Sequence, residues 1–245
     1  MIPKAEFSIL SNSKILKSTE NLKKLVIAID GPAAAGKSTT SKLVAKRLEY
    51  LHVNTGAMYR AMTLKVLESN ISLDETDEIG RLAQKTEIRL VQNDDELRVV
   101  LDGRDVTRAI RSRAVTKAVS PVSSIDKVRT VMVREQRKIG REGGIVLEGR
   151  DIGTVVFPDA DLKIFMIADV DERARRRKKD LETQGTNVPI DELVEEITQR
   201  DLKDSRREIS PLRKADDAII VDTSNMTIEE QVDFIVAKAK KIISV

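Results

Sequence analysis

Nine consecutive residues, Gly31-Pro32-Ala33-Ala34-Ala35-Gly36-Lys37-Ser38-Thr39, carry the spacing of a phosphate-binding loop. Glycine at 31 and 36 lets the backbone turn its N–H groups onto phosphate oxygens, Lys37 can reach the β and γ phosphates, and the Ser38 hydroxyl can sit on Mg2+. The chemistry implied is binding of a nucleoside triphosphate with its magnesium ion. What is done with the triphosphate depends on other residues, and here arginines stand out. Arg173, Arg175, Arg176 and Arg177 run into Lys178 and Lys179. A block like this is ordinarily a solvated helix face, but beside a triphosphate it can close as a lid over the transferring phosphoryl group. Arg200, Asp204 and Arg207 stand at i, i+4 and i+7, the spacing of one helical stripe and of a surface salt-bridge ladder. Arg150-Asp151 follows Gly149, a charged pair placed to serve a ligand.

The elements that must position these groups read as alternating strands and helices. Leu25 to Asp30 is a continuous apolar run ending in an acid, directly before the loop, and residues 39–48 read as a helix whose N-terminus faces the same anion. Residues 51–54 read as a short strand, and the apolar runs at 145–147, 162–168 and 218–221 suit strands covered on both faces. Helical patterns occupy 57–69, 74–85, 112–119 and 125–139. The last helix opens on a capping box, Thr227 with Glu230, and carries one stripe of Ile228, Val232, Ile235, Val236, Ala239 and Ile242. Two short strand-like runs, 87–91 and 96–102, flank the turn-rich Asn93-Asp94-Asp95 and predict an inserted hairpin. The fold class is therefore α/β, a five-stranded parallel sheet with phosphate chemistry at the C-terminal ends of its strands. Residues 1–24 lack a period and are read as a mobile tail with at most a short helix, ahead of one domain over 25–245.

Composition narrows the function classes. With no cysteine there is no disulfide, thiolate metal site or catalytic thiol, and no apolar stretch has the length of a membrane span. The reading is a soluble, cytoplasmic protein without a membrane partner. A net charge of +3 hides near-balance of basic and acidic residues, and only 2% aromatic content leaves few stacking platforms, which argues against nucleic acid as a partner. The single histidine, His52, has no second His or Cys as co-ligand and is assigned no role.

Four segments together resemble the bacterial-type cytidylate kinases of the nucleoside monophosphate kinase group. They are Ile29-Asp30 with the loop to Ser38, Asn54-Thr55-Gly56-Ala57-Met58-Tyr59-Arg60, Glu148-Gly149-Arg150-Asp151-Ile152-Gly153-Thr154-Val155-Val156-Phe157-Pro158, and Arg200-Asp201-Leu202-Lys203-Asp204-Ser205-Arg206-Arg207. With the hairpin they span about residues 25–240. The resemblance implies a P-loop kinase sheet with a small antiparallel acceptor-binding insert, about 82–120, and a helical lid, about 172–186. It implies that Arg60 and Arg150 grip the acceptor phosphate with Tyr59 nearby, and that Ser120, Arg129 and Asp151 read the base. Arg200 and Asp204 would hold the ribose hydroxyls with Arg207 close by, and Thr55 keeps a hydroxyl where relatives carry serine. The implied reaction transfers the γ-phosphoryl group of ATP, with Mg2+, to CMP or dCMP, on a monomer. Lys37, Arg60, Arg150, Arg176 and Arg177 would neutralise the charge that develops, while lid and insert closure excludes water.

Two other classes share the loop. A GTPase switch could use Asp77-Glu78-Ile79-Gly80 as its D-x-x-G string, but that string lies in a helical pattern and no N-K-x-D follows. A nucleic-acid-dependent ATPase could use Asp169 as its strand-end acid, against the shortage of aromatics. Another small-molecule kinase on the same fold is the nearer alternative.

Overall fold

The computed structural model describes residues 9–11, 23–93, 96–183 and 185–244. Among the described residues the backbone groups into two compact units, one formed by residues 9–11, 53–93 and 96–142, the other by 23–52, 143–183 and 185–244.

The second unit holds most of the central sheet. Strands β2 (Val26–Asp30), β7 (Ile145–Gly149), β8 (Leu162–Ile167) and β9 (Ile219–Asp222) pair in parallel, and β3 (Leu51–Asn54) completes the order β3-β7-β2-β8-β9. This is the expected five-stranded α/β sheet. All five residues of β7 are buried, whereas on the edge strand β9 Ile220 is 54% exposed, so continuous apolar runs mark both central and edge strands here. Helices α1 (Lys37–Leu48) and α8 (Ile228–Ile243) pack on this sheet through Val44, Ala45, Val232, Ile235, Val236 and Ala239 against Ile27, Ile29, Ile164 and Met166. Each fully buried aliphatic side chain contributes roughly 1.5–3 kcal/mol. The Thr227/Glu230 capping box forms as read, but Ile228 in its first turn is 47% exposed and falls outside the buried stripe. Helices α6 (Val170–Glu182) and α7 (Ile190–Ser205) pack on each other around Ala174, Val188, Leu193 and Ile197.

The first unit contains α2 (Thr55–Glu68), α3 (Thr76–Lys85), α4 (Arg113–Ser124) and α5 (Asp126–Ile139), with a second sheet of β1 (Ile9–Ser11), β4 (Ile88–Asn93), β5 (Glu96–Leu101) and β6 (Arg104–Asp105). Strands β4 and β5 form the expected antiparallel hairpin, and the turn residues Asp94 and Asp95 lie outside the described residues. Residues 9–11, within the segment read as a tail, pair in parallel with β4 through Ile9↔Leu90 to Ser11↔Gln92. This sheet is therefore mixed. The rest of residues 1–22 lies outside the described residues.

Candidate active site

The last residue of β2 is Asp30, and the chain leaves it through a turn that needs glycine. Gly31 has φ +149°, and a Cβ there would meet the Met166 carbonyl oxygen of β8 at 2.1 Å. Gly36, with φ +89°, starts α1 in a left-handed conformation, with no side chain capping the helix and no acid in its first turn. The first N–H groups of α1 are thus left to an anion, and the helix dipole adds to the attraction. Lys37 is buried and its Nζ donates to the Pro32 carbonyl at 2.5 Å, which folds the lysine back over the loop. Burial and the neighbouring Arg150 hold its pKa well below the usual lysine range, so the charged form is disfavoured until an anion such as phosphate offsets them.

Ser38 Oγ donates to Glu148 Oε2 at 2.7 Å, which places a hydroxyl and a buried carboxylate side by side at the ends of α1 and β7. These hard oxygen donors fit Mg2+, which takes one or two protein oxygens and completes its shell with phosphates and water. Among the described residues no three His, Cys, Asp or Glu side chains cluster as a metal cage. Glu148 had no role in the sequence reading. Its position at the end of an apolar run, two residues before Arg150, was the available signal, and its pairing with Ser38, 110 positions away, needed the sheet order.

Beyond β7 the chain enters a π-helical turn, Ile152–Val156, which the sequence patterns did not indicate. It is tied down by Asp30, whose two carboxylate oxygens accept from the Ile152 N–H at 2.8 Å and the Gly153 N–H at 2.7 Å. Burial raises the Asp30 pKa from 3.8 to about 6 against the pull of those two bonds. Arg150 and Asp151 are thus presented on a stretch braced from β2. Arg150 Nε donates to Asp204 Oδ2 at 3.0 Å, Arg207 donates to Asp204 Oδ1, and Arg200 Nε stands 4.0 Å from Oδ2. Arg207 is not on the helical stripe expected for it: α7 ends at Ser205, and the chain turns so that Arg207 still reaches back to Asp204. Burial pushes the Asp204 carboxyl up, but Arg150, Arg207 and Arg200 outweigh it and hold the group below the usual carboxylate range. Asp204 therefore stays ionised and binds three guanidiniums together.

The arginine block divides. Arg173 is a strut, donating to the carbonyls of Ala168 at 3.0 Å and Ala33 at 3.3 Å and to Asp201. Arg175 is exposed and pairs with Glu172 at 3.3 Å. Arg176 lies against the loop, donating to Thr223 Oγ1 at 3.0 Å and to its carbonyl at 2.6 Å, while Thr223 Oγ1 donates to the Ala35 carbonyl at 3.1 Å. Arg177 is half-buried on the same helix.

In the first unit Thr55 opens α2 after the Asn54 cap, which accepts from the Ala57 N–H at 2.9 Å. Arg60 donates to the Ile110 carbonyl at 3.1 Å and to Thr116 Oγ1 at 3.0 Å. Tyr59 and Arg129 are both buried and meet, with Arg129 Cζ 5.4 Å from the Tyr59 ring centroid, a cation–π contact, while Arg129 also donates to the Ser123 carbonyl at 3.1 Å. Ser120 is half-buried on α4. The D-x-x-G string is plain helix: Gly80 lies inside α3 packed on Lys127 of α5, and Asp77 pairs with Lys127 at 2.8 Å. The acid beside Ser38 is Glu148, whereas Asp169 is exposed ahead of α6.

A parallel sheet with a P-loop leaving its β2 strand, an acid at the end of the adjacent β7, and arginines collected on one carboxylate past the same strand ends defines the class as P-loop kinases of small phosphate-bearing substrates. The cytidylate kinase family model matches residues 27–241. The chain belongs to the cytidylate kinase family. A cytidylate kinase of Bacillus pumilus is 49% identical over 220 residues, covering 90% of this chain and 98% of that protein. One of Bacillus subtilis is 47% identical over 211 residues, covering 86% and 94%. A bifunctional pantoate ligase/cytidylate kinase of a Synechococcus strain is 48% identical over 221 residues, which is 89% of this chain and 41% of that protein.

Proposed function

We propose that the chain transfers the γ-phosphoryl group of ATP to CMP or dCMP, giving ADP and CDP or dCDP. The observation that carries this is the convergence of the P-loop with Arg150, Arg200 and Arg207 about Asp204, past the ends of one parallel sheet, in a member of the cytidylate kinase family. Residues 31–39 cradle the donor phosphates, and Lys37 neutralises charge on the β and γ groups. Ser38 and Glu148 would hold Mg2+, which when bound supplies further neutralisation of the phosphates.

The acceptor is gripped at its phosphate by Arg60 and Arg150, with Tyr59 nearby and the Thr55 hydroxyl available to it. Ser120, Arg129 and Asp151 read the base, and Arg200 and Asp204 meet the ribose, with Arg207 beside them. The buried Arg129 guanidinium on Tyr59 supports a fixed, desolvated donor for base recognition. An acceptor phosphate oxygen attacks the γ phosphorus in line and ADP leaves. The acceptor phosphate is already anionic near neutral pH, so no protein base has to remove a proton, and catalysis is positioning plus charge stabilisation. Arg176, held against the loop by Thr223, and Arg177 serve the latter. Purified chain given ATP, Mg2+ and CMP should release ADP in step with CDP. ADP release that ignores CMP would contradict the proposal.

A further inference from the structure

The chain's one histidine is buried, and none of the chemistry above uses it. His52 lies on β3, next to β7 in the sheet order, with Nε2 3.0 Å from Ser41 Oγ and 3.2 Å from Glu148 Oε1. Proton accounting assigns the roles. Ser41 Oγ has one hydrogen and lies 2.6 Å from the Lys37 carbonyl, which can only accept, so Ser41 offers the imidazole a lone pair. The Glu148 carboxylate also accepts only, and its other oxygen takes the Ser38 hydroxyl at 2.7 Å. Nε2 must therefore carry a hydrogen, shared between Ser41 and Glu148. This is true of the neutral Nε2–H tautomer and of the imidazolium alike, so the arrangement needs no change of protonation.

We propose that His52 is a positioning residue: its Nε2–H holds the Glu148 carboxylate against the Ser38 hydroxyl and so preorganises the oxygens that would face the nucleotide's magnesium ion. The inference rests on the kinase reading above and extends it to a residue outside the P-loop. A carboxylate has two oxygens and free rotation about its side chain. Fixing Oε1 from β3 leaves Oε2 aimed at α1, where Ser38 begins its hydrogen bond. Ser41, one turn along α1 from Lys37, ties the same imidazole to the helix that carries the loop's lysine and serine. Outer-shell partners of this kind are worth about 10–100-fold in metal affinity.

The test is calorimetric binding of ADP with Mg2+ and with EDTA, for wild type, His52→Phe and His52→Gln. The ratio of the two dissociation constants is the magnesium gain. His52→Phe should cut that gain about tenfold or more while leaving the affinity in EDTA within about twofold, and His52→Gln, which presents an amide N–H, should recover most of the loss. A magnesium gain within about twofold of wild type in His52→Phe overturns the proposal, as does a Gln variant no better than Phe. If His52→Phe does not fold, His52→Asn, whose amide stops short of Glu148, takes its place with the same expectation. CMP phosphorylation by the wild-type chain is followed alongside, because normal phosphorylation with an unmoved magnesium gain overturns the role of His52 alone.

Discussion

Replacing Asp204 by asparagine keeps the shape of the side chain and removes the one charge that three arginines share. Asp204 is 2% exposed at its side chain, Arg207 8%, Arg150 19% and Arg200 28%, so the first three are largely cut off from water. Removing one partner of a buried ion pair costs about 3–5 kcal/mol, because the remaining charge stays desolvated. Arg200, 4.0 Å away and the most exposed, adds least. Asp204→Asn should therefore lose about 3–5 kcal/mol of unfolding free energy at pH 7, read from urea denaturation with unchanged m. The folded pKa lies below the unfolded one, so the carboxylate's contribution is complete above the unfolded value of about 3.9 and disappears as pH falls through the folded pKa. The difference between wild type and variant should accordingly shrink on acidification below about pH 4. In kinetics, a released Arg150 should raise KM for CMP more than KM for ATP. A stability loss under about 1 kcal/mol at pH 7 would refute this reasoning, since it would mean that solvent already serves these guanidiniums. Equal damage to both substrates would confine Asp204 to a structural role.

Lys37→Ala should lower kcat by about 10²–10³-fold, and a variant keeping more than about a tenth of wild-type turnover contradicts the assigned charge contact. Asp30 carries the opposite pH signature. Its carboxyl is raised from 3.8 to about 6, so the folded state holds the proton more tightly and stability is lost as pH rises through that window. Relative to Asp30→Asn, which does not titrate, wild type should lose about 2 kcal/mol between pH 4 and pH 6.5 in chemical denaturation, and a flat difference would dismiss the shift. Asp151→Asn can turn its amide to serve cytosine or uracil and should shrink the CMP-to-UMP ratio of kcat/KM by about tenfold. A ratio within about threefold of wild type would assign Asp151 to orienting Arg150 instead.

The sheet was legible because its central strands and even its half-exposed edge strand β9 read as apolar runs, and the loop because its chemistry is contiguous in sequence. The capping box at Thr227 was legible for the same local reason. What stayed hidden is non-local. His52 and Glu148 are 96 positions apart and meet only because β3 and β7 are neighbours. Asp30 looked like the polar end of a strand, and its work on the Ile152–Gly153 backbone leaves no mark in side-chain spacing. Arg207 kept its partner but not its helix, since periodicity alone does not say that α7 ends at Ser205. Arg173 and Arg176 sit in one cationic run yet do different things, a division set by whether each faces Ala33 and Asp201 or Thr223.

The central claim is tested most directly by ADP formation from ATP and Mg2+ across CMP, dCMP, UMP, AMP and GMP under one set of conditions. The account predicts the highest kcat/KM for CMP or dCMP, at least about tenfold above UMP, as charged hydrogen bonds to the base require. Preference for AMP or GMP, or no ADP with either cytidine nucleotide, would contradict it.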